Sequence, residues 1–97
     1  VTSWFVLQHT PGSVIPEGES VFDQPGITEH FAFLKRRADA GQLIAAGPID
    51  DDSGDGITVL ELDDLDEAIR LATEDDAAVA AGLLTVTVRP WRVVMAR

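Results

Sequence analysis

Cysteine is absent from this chain, which removes disulfides, thiolate zinc sites and a cysteine nucleophile together. Long apolar runs are missing too. None approaches the roughly 20 residues of a membrane span, and no basic-then-apolar signal segment opens the sequence. A cytoplasmic protein with no membrane partner is the expectation. Basic residues are scarce, 7 against 17 acidic ones, for a formal net charge of −10. A surface of that sign repels phosphate backbones, so no nucleic acid is expected as a partner. Internal repeats and low-complexity segments are also absent. Histidine occurs only twice, at His9 and His30, so few groups can carry acid–base chemistry near neutral pH.

What is present is enough for one core. The chain has 97 residues, 45% of them apolar, and reads as a single globular domain over residues 1–97. Its centre is the stretch Thr28 to Asp50. At about 100° per residue, Ile27, Phe31, Leu34 and Ala38 form an apolar stripe, with Lys35, Arg36 and Asp39 on the wet side. His30 falls on the flank of that stripe, about 60° from its centre, where one edge packs and the other reaches a cleft. The plainer alternative is a half-buried histidine with a satisfied ring. The helix is expected from Gly26 or Ile27 to Ala40, with Gly41 as its left-handed end and Arg36 and Arg37 facing the negative pole.

The remaining elements follow from alternation and turn signals. Trp4 to His9 reads as a central strand, largely apolar on both faces, ending before Thr10-Pro11-Gly12. Gly12 to Pro25 is a long loop, read as a lid, a rim or a mobile connection. A second strand, Leu43 to Ile49, carries small residues and closes on Gly47-Pro48. Asp50 to Gly56 is a solvated hairpin turn whose spacing does not match a calcium loop. Ile57 to Leu62 is the third strand. Asp64 and Glu67 then form a capping box before Leu65, Ala68, Ile69 and Ala72 at helical spacing. Asp75-Asp76 interrupts that helix and opens a short turn, Ala77 to Ala81, ended by Gly82. Leu83 to Arg89 is the fourth strand, with Leu84, Val86 and Val88 on one face and Thr85, Thr87 and Arg89 on the other. Pro90 and Trp91 are expected to bend it, and Arg92 to Met95 to resume an edge segment.

The order βαββαβ is the split βαβ, or ferredoxin-like, arrangement of the α+β class. Right-handed crossovers place both helices on one face of a four-stranded antiparallel sheet. Apolar side chains on the other face call for a cover, and a second copy packed sheet to sheet as a homodimer is the expected one. A monomer capped by the long loop is the alternative. RNA binding by the same topology is disfavoured, because the strands lack the aromatic Lys/Arg-Gly-Phe pattern.

The segments F-V-L-Q-H-T-P-G, E-H-F-A-F-L-K, A-G-Q-L-I-A-A-G-P, D-D-A-A-V-A-A-G-L and V-R-P-W together resemble the YCII-related domain across nearly the whole chain. The resemblance implies a dimeric α/β barrel of ferredoxin-like subunits, with a histidine and an aspartate in a cleft of each as an acid–base pair. The histidine corresponds to His30. The aspartate corresponds to Asp76, although Ala77 stands where the family pattern has proline. Such a carboxylate would fix the histidine tautomer and raise its basicity. The alternative for Asp76 is a simple helix cap, worth about 1 kcal/mol. His9 ends a central strand beside Gly47 and Pro48 and is expected to line the same pocket. Arg89 is the candidate clamp for an anionic substrate and Trp91 a candidate wall, against a surface arginine and a packing tryptophan. No short ligand spacing supports a metal, and none is expected, nor any cofactor. The function expected is a small cofactor-independent enzyme using a His–Asp pair on a small organic substrate, of isomerase, lyase or dehydrohalogenase type. A non-catalytic small-molecule-binding or accessory module is the alternative.

Overall fold

Side-chain alternation builds the sheet, and the computed structural model describes it over residues 3–97. In β1 (Trp4–Pro11), Phe5, Leu7 and His9 are buried, while Trp4, Val6 and Gln8 point to the opposite face. The other strands are β2 (Leu43–Pro48), β3 (Gly56–Glu61) and β4 (Leu84–Trp91). They form one sheet in the order β2-β3-β1-β4, every neighbouring pair antiparallel. The fold is the expected ferredoxin-like α+β arrangement, with β1 in the interior of the sheet. Two strand ends lie two residues beyond expectation, and the other strand boundaries agree within one residue. β1 continues past His9 to Pro11, and β4 runs through Pro90 rather than bending there, with no strand beyond Trp91. Pro90 is tolerated because β4 is an edge strand that pairs with β1 alone.

Helix α1 (Ile27–Asp39) ends as its composition demands. Gly41 takes φ +75°, its N–H donates to the Ala38 carbonyl, and that of Gln42 to the Arg37 carbonyl. Its buried face, however, is not the stripe expected. Phe33 is completely buried, whereas Phe31 is 51% exposed. The inward arc runs through Ile27, His30, Phe33, Leu34 and Arg37, about 70° around the helix from the expected stripe. His30 therefore stands at the middle of the packed face and not on its flank. Two polar residues on that arc weaken its hydrophobic signal, which is why Phe31 takes the place of Phe33 in a reading by hydrophobicity alone.

Asp64 accepts from the Glu67 N–H at 2.8 Å and starts α2 (Leu65–Arg70), which is the N-cap half of the expected capping box. One π-helical turn, Leu71–Asp75, follows, and then the short α3 (Ala77–Ala80). Phe5, Leu7, Phe33, Leu60, Ala68 and Leu71 form the main core between sheet and helices. A second cluster, Val21, Ile27, Ala78, Leu83 and Leu84, anchors the long loop. That loop contains a 3₁₀ turn, Val21–Asp23, capped by Ser20, whose Oγ accepts from the Phe22 N–H. Buried Val21 holds it against the domain as a rim. Among the described residues, no helix is long and apolar enough to cross a membrane.

The shifted packing face can be tested by truncation. Phe33→Ala is expected to lower unfolding free energy by about 3–5 kcal/mol, measured by urea denaturation. Phe31→Ala, on the exposed side, should cost less than about 1 kcal/mol. Equal losses would contradict the orientation of α1.

Candidate active site

Asp76 leaves helical geometry at φ −93°, ψ 100°, between the π-helical turn and α3, and its carboxylate is wholly buried. A buried carboxylate needs partners for both oxygens. Oδ1 accepts from the Ala78 N–H at 3.1 Å, so Asp76 is the N-cap of α3 and needs no proline at position 77 to hold it. Oδ2 lies 2.6 Å from His30 Nδ1. Both readings of Asp76, the cap and the histidine partner, are thus realised by different oxygens of one group. Next to it, Arg36 donates to the Asp75 carbonyl at 2.6 Å, and Arg36 Nε and Arg37 Nη2 lie 3.3 Å from the Asp75 carboxylate. The end of α1 therefore grips the α2–α3 junction at the residue just before the one that His30 holds. Arg36, expected on the wet side of α1, thus has a partner in Asp75 that no local pattern indicated.

An ionised Asp76 accepts the Nδ1–H of His30, which leaves the lone pair of His30 on Nε2. The side chain is 12% exposed and borders a cavity of about 40 Å³. His9, Gly47, Pro48, Phe22, Phe31 and Thr58 share that cavity. Its floor is a row across the sheet: His9 pairs with Gly56, and Gly56 with Pro48. Gly56 matters here. Its missing side chain opens the space beside His9, and a Cβ there would come within 3.3 Å of the Gly47 carbonyl. An isolated glycine opening a strand was the signal available for it in the sequence. Val21 and Phe22 show that the long loop walls the cavity. A wider cleft of about 780 Å³ adjoins it, sharing Val21, Phe22 and Pro48 and carrying Glu19, Asp50 and Asp52.

His9 has an unusual environment. It is 2% exposed, and neither ring nitrogen has a protein partner among the described residues. Its ring meets that of His30 edge to face, centroids 4.7 Å apart. Burial, first, and the charge of a protonated His30, second, push its pKa down to about 4, with Asp76 opposing them. His9 is therefore a neutral imidazole at neutral pH. Each unpartnered nitrogen costs about 1–3 kcal/mol if nothing fills the cavity.

Donor atoms of His9, His30 and Asp76 all lie within 4.8 Å of one another, a set of types that can hold a cation. Yet His30 Nδ1 and Asp76 Oδ2 engage each other, and Asp76 Oδ1 caps α3. A metal drawing on Asp76 would compete for a carboxylate both of whose oxygens are already engaged. Arg89 and Trp91 are not part of this cavity. Pleating puts them on the opposite face of the sheet, where they share a shallow groove with Val6, Gln8, Ile57 and Val59. There Arg89 reaches Gln8 Oε1 at 3.4 Å, and Trp91 meets Trp4 edge to face. The alternation already visible in β4, with Arg89 opposite to Val88, excludes both from a site on the helix side.

Residues 6–92 match the YCII-related domain. The chain belongs to that family. It is 34% identical over 71 residues to the uncharacterized protein YjpA of Bacillus subtilis (strain 168), covering 73% of this chain and 81% of YjpA. Among solved structures it is similar to 5-chloro-2-hydroxyhydroquinone dehydrochlorinase (TftG) from Burkholderia phenoliruptrix AC1100, in complex with 2,5-dihydroxybenzoquinone. The TM-score is 0.65 at 20% identity, covering 91% of this chain and 93% of that one. The structural-genomics protein YJCS aligns with a TM-score of 0.56 at 13% identity, covering 96% and 99%. At these identities the two structures speak for a shared fold.

The neutral state of His9 has a consequence for stability. An unfolded His9 protonates near its ordinary value of 6.5, whereas the folded ring resists protonation until about pH 4. The stability tied to it is complete above pH 6.5 and is lost as the pH falls to about 4, by about 3 kcal/mol in all. His9→Phe should remove that part of the decline in urea midpoint between pH 7 and pH 4. An unchanged decline would contradict a buried neutral ring.

Proposed function

We propose that this protein is a small acid–base enzyme that moves protons on a small organic molecule, of isomerase, lyase or dehydrohalogenase type. One observation supports this reading above the rest: a completely buried Asp76 carboxylate 2.6 Å from His30, whose ring borders a cavity. Asp76 would hold the tautomer with the proton on Nδ1. Nε2 would then take a proton from a hydroxyl or from carbon next to a carbonyl, and return it elsewhere on the substrate. The imidazolium so formed would be stabilised by the adjacent carboxylate.

TftG is named as a dehydrochlorinase, and hydroxylated rings are the substrate class to try first. On 5-chloro-2-hydroxyhydroquinone, a hydroxyl proton would pass to His30 and return to the carbon that bears chlorine, giving a keto tautomer. Loss of a second hydroxyl proton would then expel chloride with its bonding electrons. The net change is loss of HCl and formation of a hydroxybenzoquinone. The same two proton movements without a leaving group would give an isomerase.

We also propose that the sheet face opposite the helices is covered by a second copy of the chain. Val6, Ile57 and Val59 lie side by side there, with Trp4 and Trp91 at one end. A continuous apolar patch of this kind favours pairing.

Two measurements test these readings. The protein should speed deuterium exchange into the ring hydrogens of hydroxyhydroquinone in D₂O and chloride release from its 5-chloro derivative. His30→Gln, which keeps a donor toward Asp76, should reduce the rate by about 10²–10⁴-fold. Saturable binding with no acceleration of either reaction would replace the enzyme by a binding module. Light scattering should give twice the 10.4 kDa chain mass, and Val59→Asp should halve it without loss of helical signal; a monomeric wild type sinks the pairing.

A further inference from the structure

His9 has no function in the proton transfer just described, yet it is the most unusual polar group in the domain. It is enclosed, unpartnered at both nitrogens and packed against the ring that would do the chemistry. A structural histidine would satisfy at least one nitrogen within the protein. The neighbouring Gly56 leaves space beside it, and that space is the cavity on which His30 borders. Such a ring is complete only when something in the cavity supplies its hydrogen bonds.

Charge narrows what that something is. Among the described residues no lysine or arginine lines the cavity or the adjoining cleft, and the cleft carries Glu19, Asp50 and Asp52. The cation considered as an anion clamp, Arg89, is on the other side of the sheet. An organic anion would approach past carboxylates and meet no counter-charge. Asp55 and Thr58 also line the cavity, and the rest of its walls are apolar, from Val21, Phe22, Phe31 and Leu34. The enclosed space of about 40 Å³ suits the oxygen-bearing edge of a flat, largely apolar body whose remainder lies in the adjoining cleft.

We infer that His9 is the substrate-reading residue of this site: a neutral imidazole whose N–H binds a ring oxygen of an uncharged hydroxylated or enolisable compound, beside His30. This inference rests on the acid–base reading of His30 and adds the residue that receives the oxygen and the class of molecule that fits. When His30 removes the hydroxyl proton, negative charge develops on that oxygen, and the His9 N–H is placed to stabilise it. The charges remain balanced: the proton goes to His30, beside Asp76, and the oxyanion faces a neutral donor. His9 stays neutral first because burial disfavours its charged form, and second because protonation would set another cation against the His30 imidazolium.

The test uses the full chain at pH 7 with hydroxyhydroquinone, kept free of oxygen, as the probe and benzoate as the anionic comparison. Hydroxyhydroquinone should bind saturably and shift the ¹⁵N resonances of the His9 ring. Benzoate should bind at least about tenfold more weakly. His9→Phe, which keeps the ring and deletes both nitrogens, should weaken binding by about tenfold or more, and His9→Asn should recover part of the loss. His30→Gln should keep binding within about threefold while losing exchange. Absence of binding, unmoved His9 resonances, equal affinity for benzoate, or full affinity in a folded His9→Phe would each overturn the inference. So would a stoichiometric zinc complex that shifts His9 and excludes the probe. The two readings fail separately. Binding through His9 without deuterium exchange removes the enzyme and leaves the recognition residue, whereas exchange that survives His9→Phe with unchanged KM does the reverse.

Discussion

A carboxylate with no access to water has to find its partners inside the protein, and Asp76 is that carboxylate here. One oxygen accepts from the Ala78 N–H in the first turn of α3, and the other takes His30 from α1. The second contact sets the rotation of α1 about its own axis. With His30 turned inward to meet Asp76, Phe33 follows into the core and Phe31 is left at the surface. A helix placed by hydrophobicity alone would present the other aromatic. The π-helical turn before Asp76 belongs to the same arrangement: it ends α2 and brings the backbone into the extended geometry from which the side chain reaches α1. Arg36 and Arg37, holding Asp75, fix the junction from the same helix. Position and chemistry at this site therefore come from one interaction.

The cavity follows from sheet register. His9, Gly56 and Pro48 align across three strands at the end of the sheet nearest the long loop. A histidine, a glycine and a proline in one row leave an open floor where larger side chains would have filled the core. The loop closes over it because Val21 is buried in a separate cluster with Ile27 and Leu84. The loop is thus anchored at its end and contributes wall residues without adding regular strands. Two faces of one sheet are thereby given different work. The helix side holds the titratable groups in apolar surroundings. The other side carries an apolar strip with Arg89 and Trp91 at its border.

The match to the YCII-related domain runs over residues 6–92 and so includes every residue that lines the cavity. The likeness to TftG concerns the fold, and the chemistry argued for this chain stands on its own residues.

Element order, strand alternation, the capping box at Asp64 and the glycine stop at Gly41 are local properties, and they were legible in the sequence because each depends on a few neighbouring residues. The exclusion of Arg89 from the helix side was legible for the same reason: a strand's period decides its faces. Asp76 and His30 could be named together by family resemblance, but neither their contact nor the burial of both His9 nitrogens is written in any local pattern. Those depend on residues 46 positions apart meeting across packed elements. Composition and periodicity determined which elements form; the inward turn of His30, the empty place beside Gly56 and the neutrality of His9 were decided by tertiary packing, because solvent exclusion and partner supply arise only once distant segments are assembled.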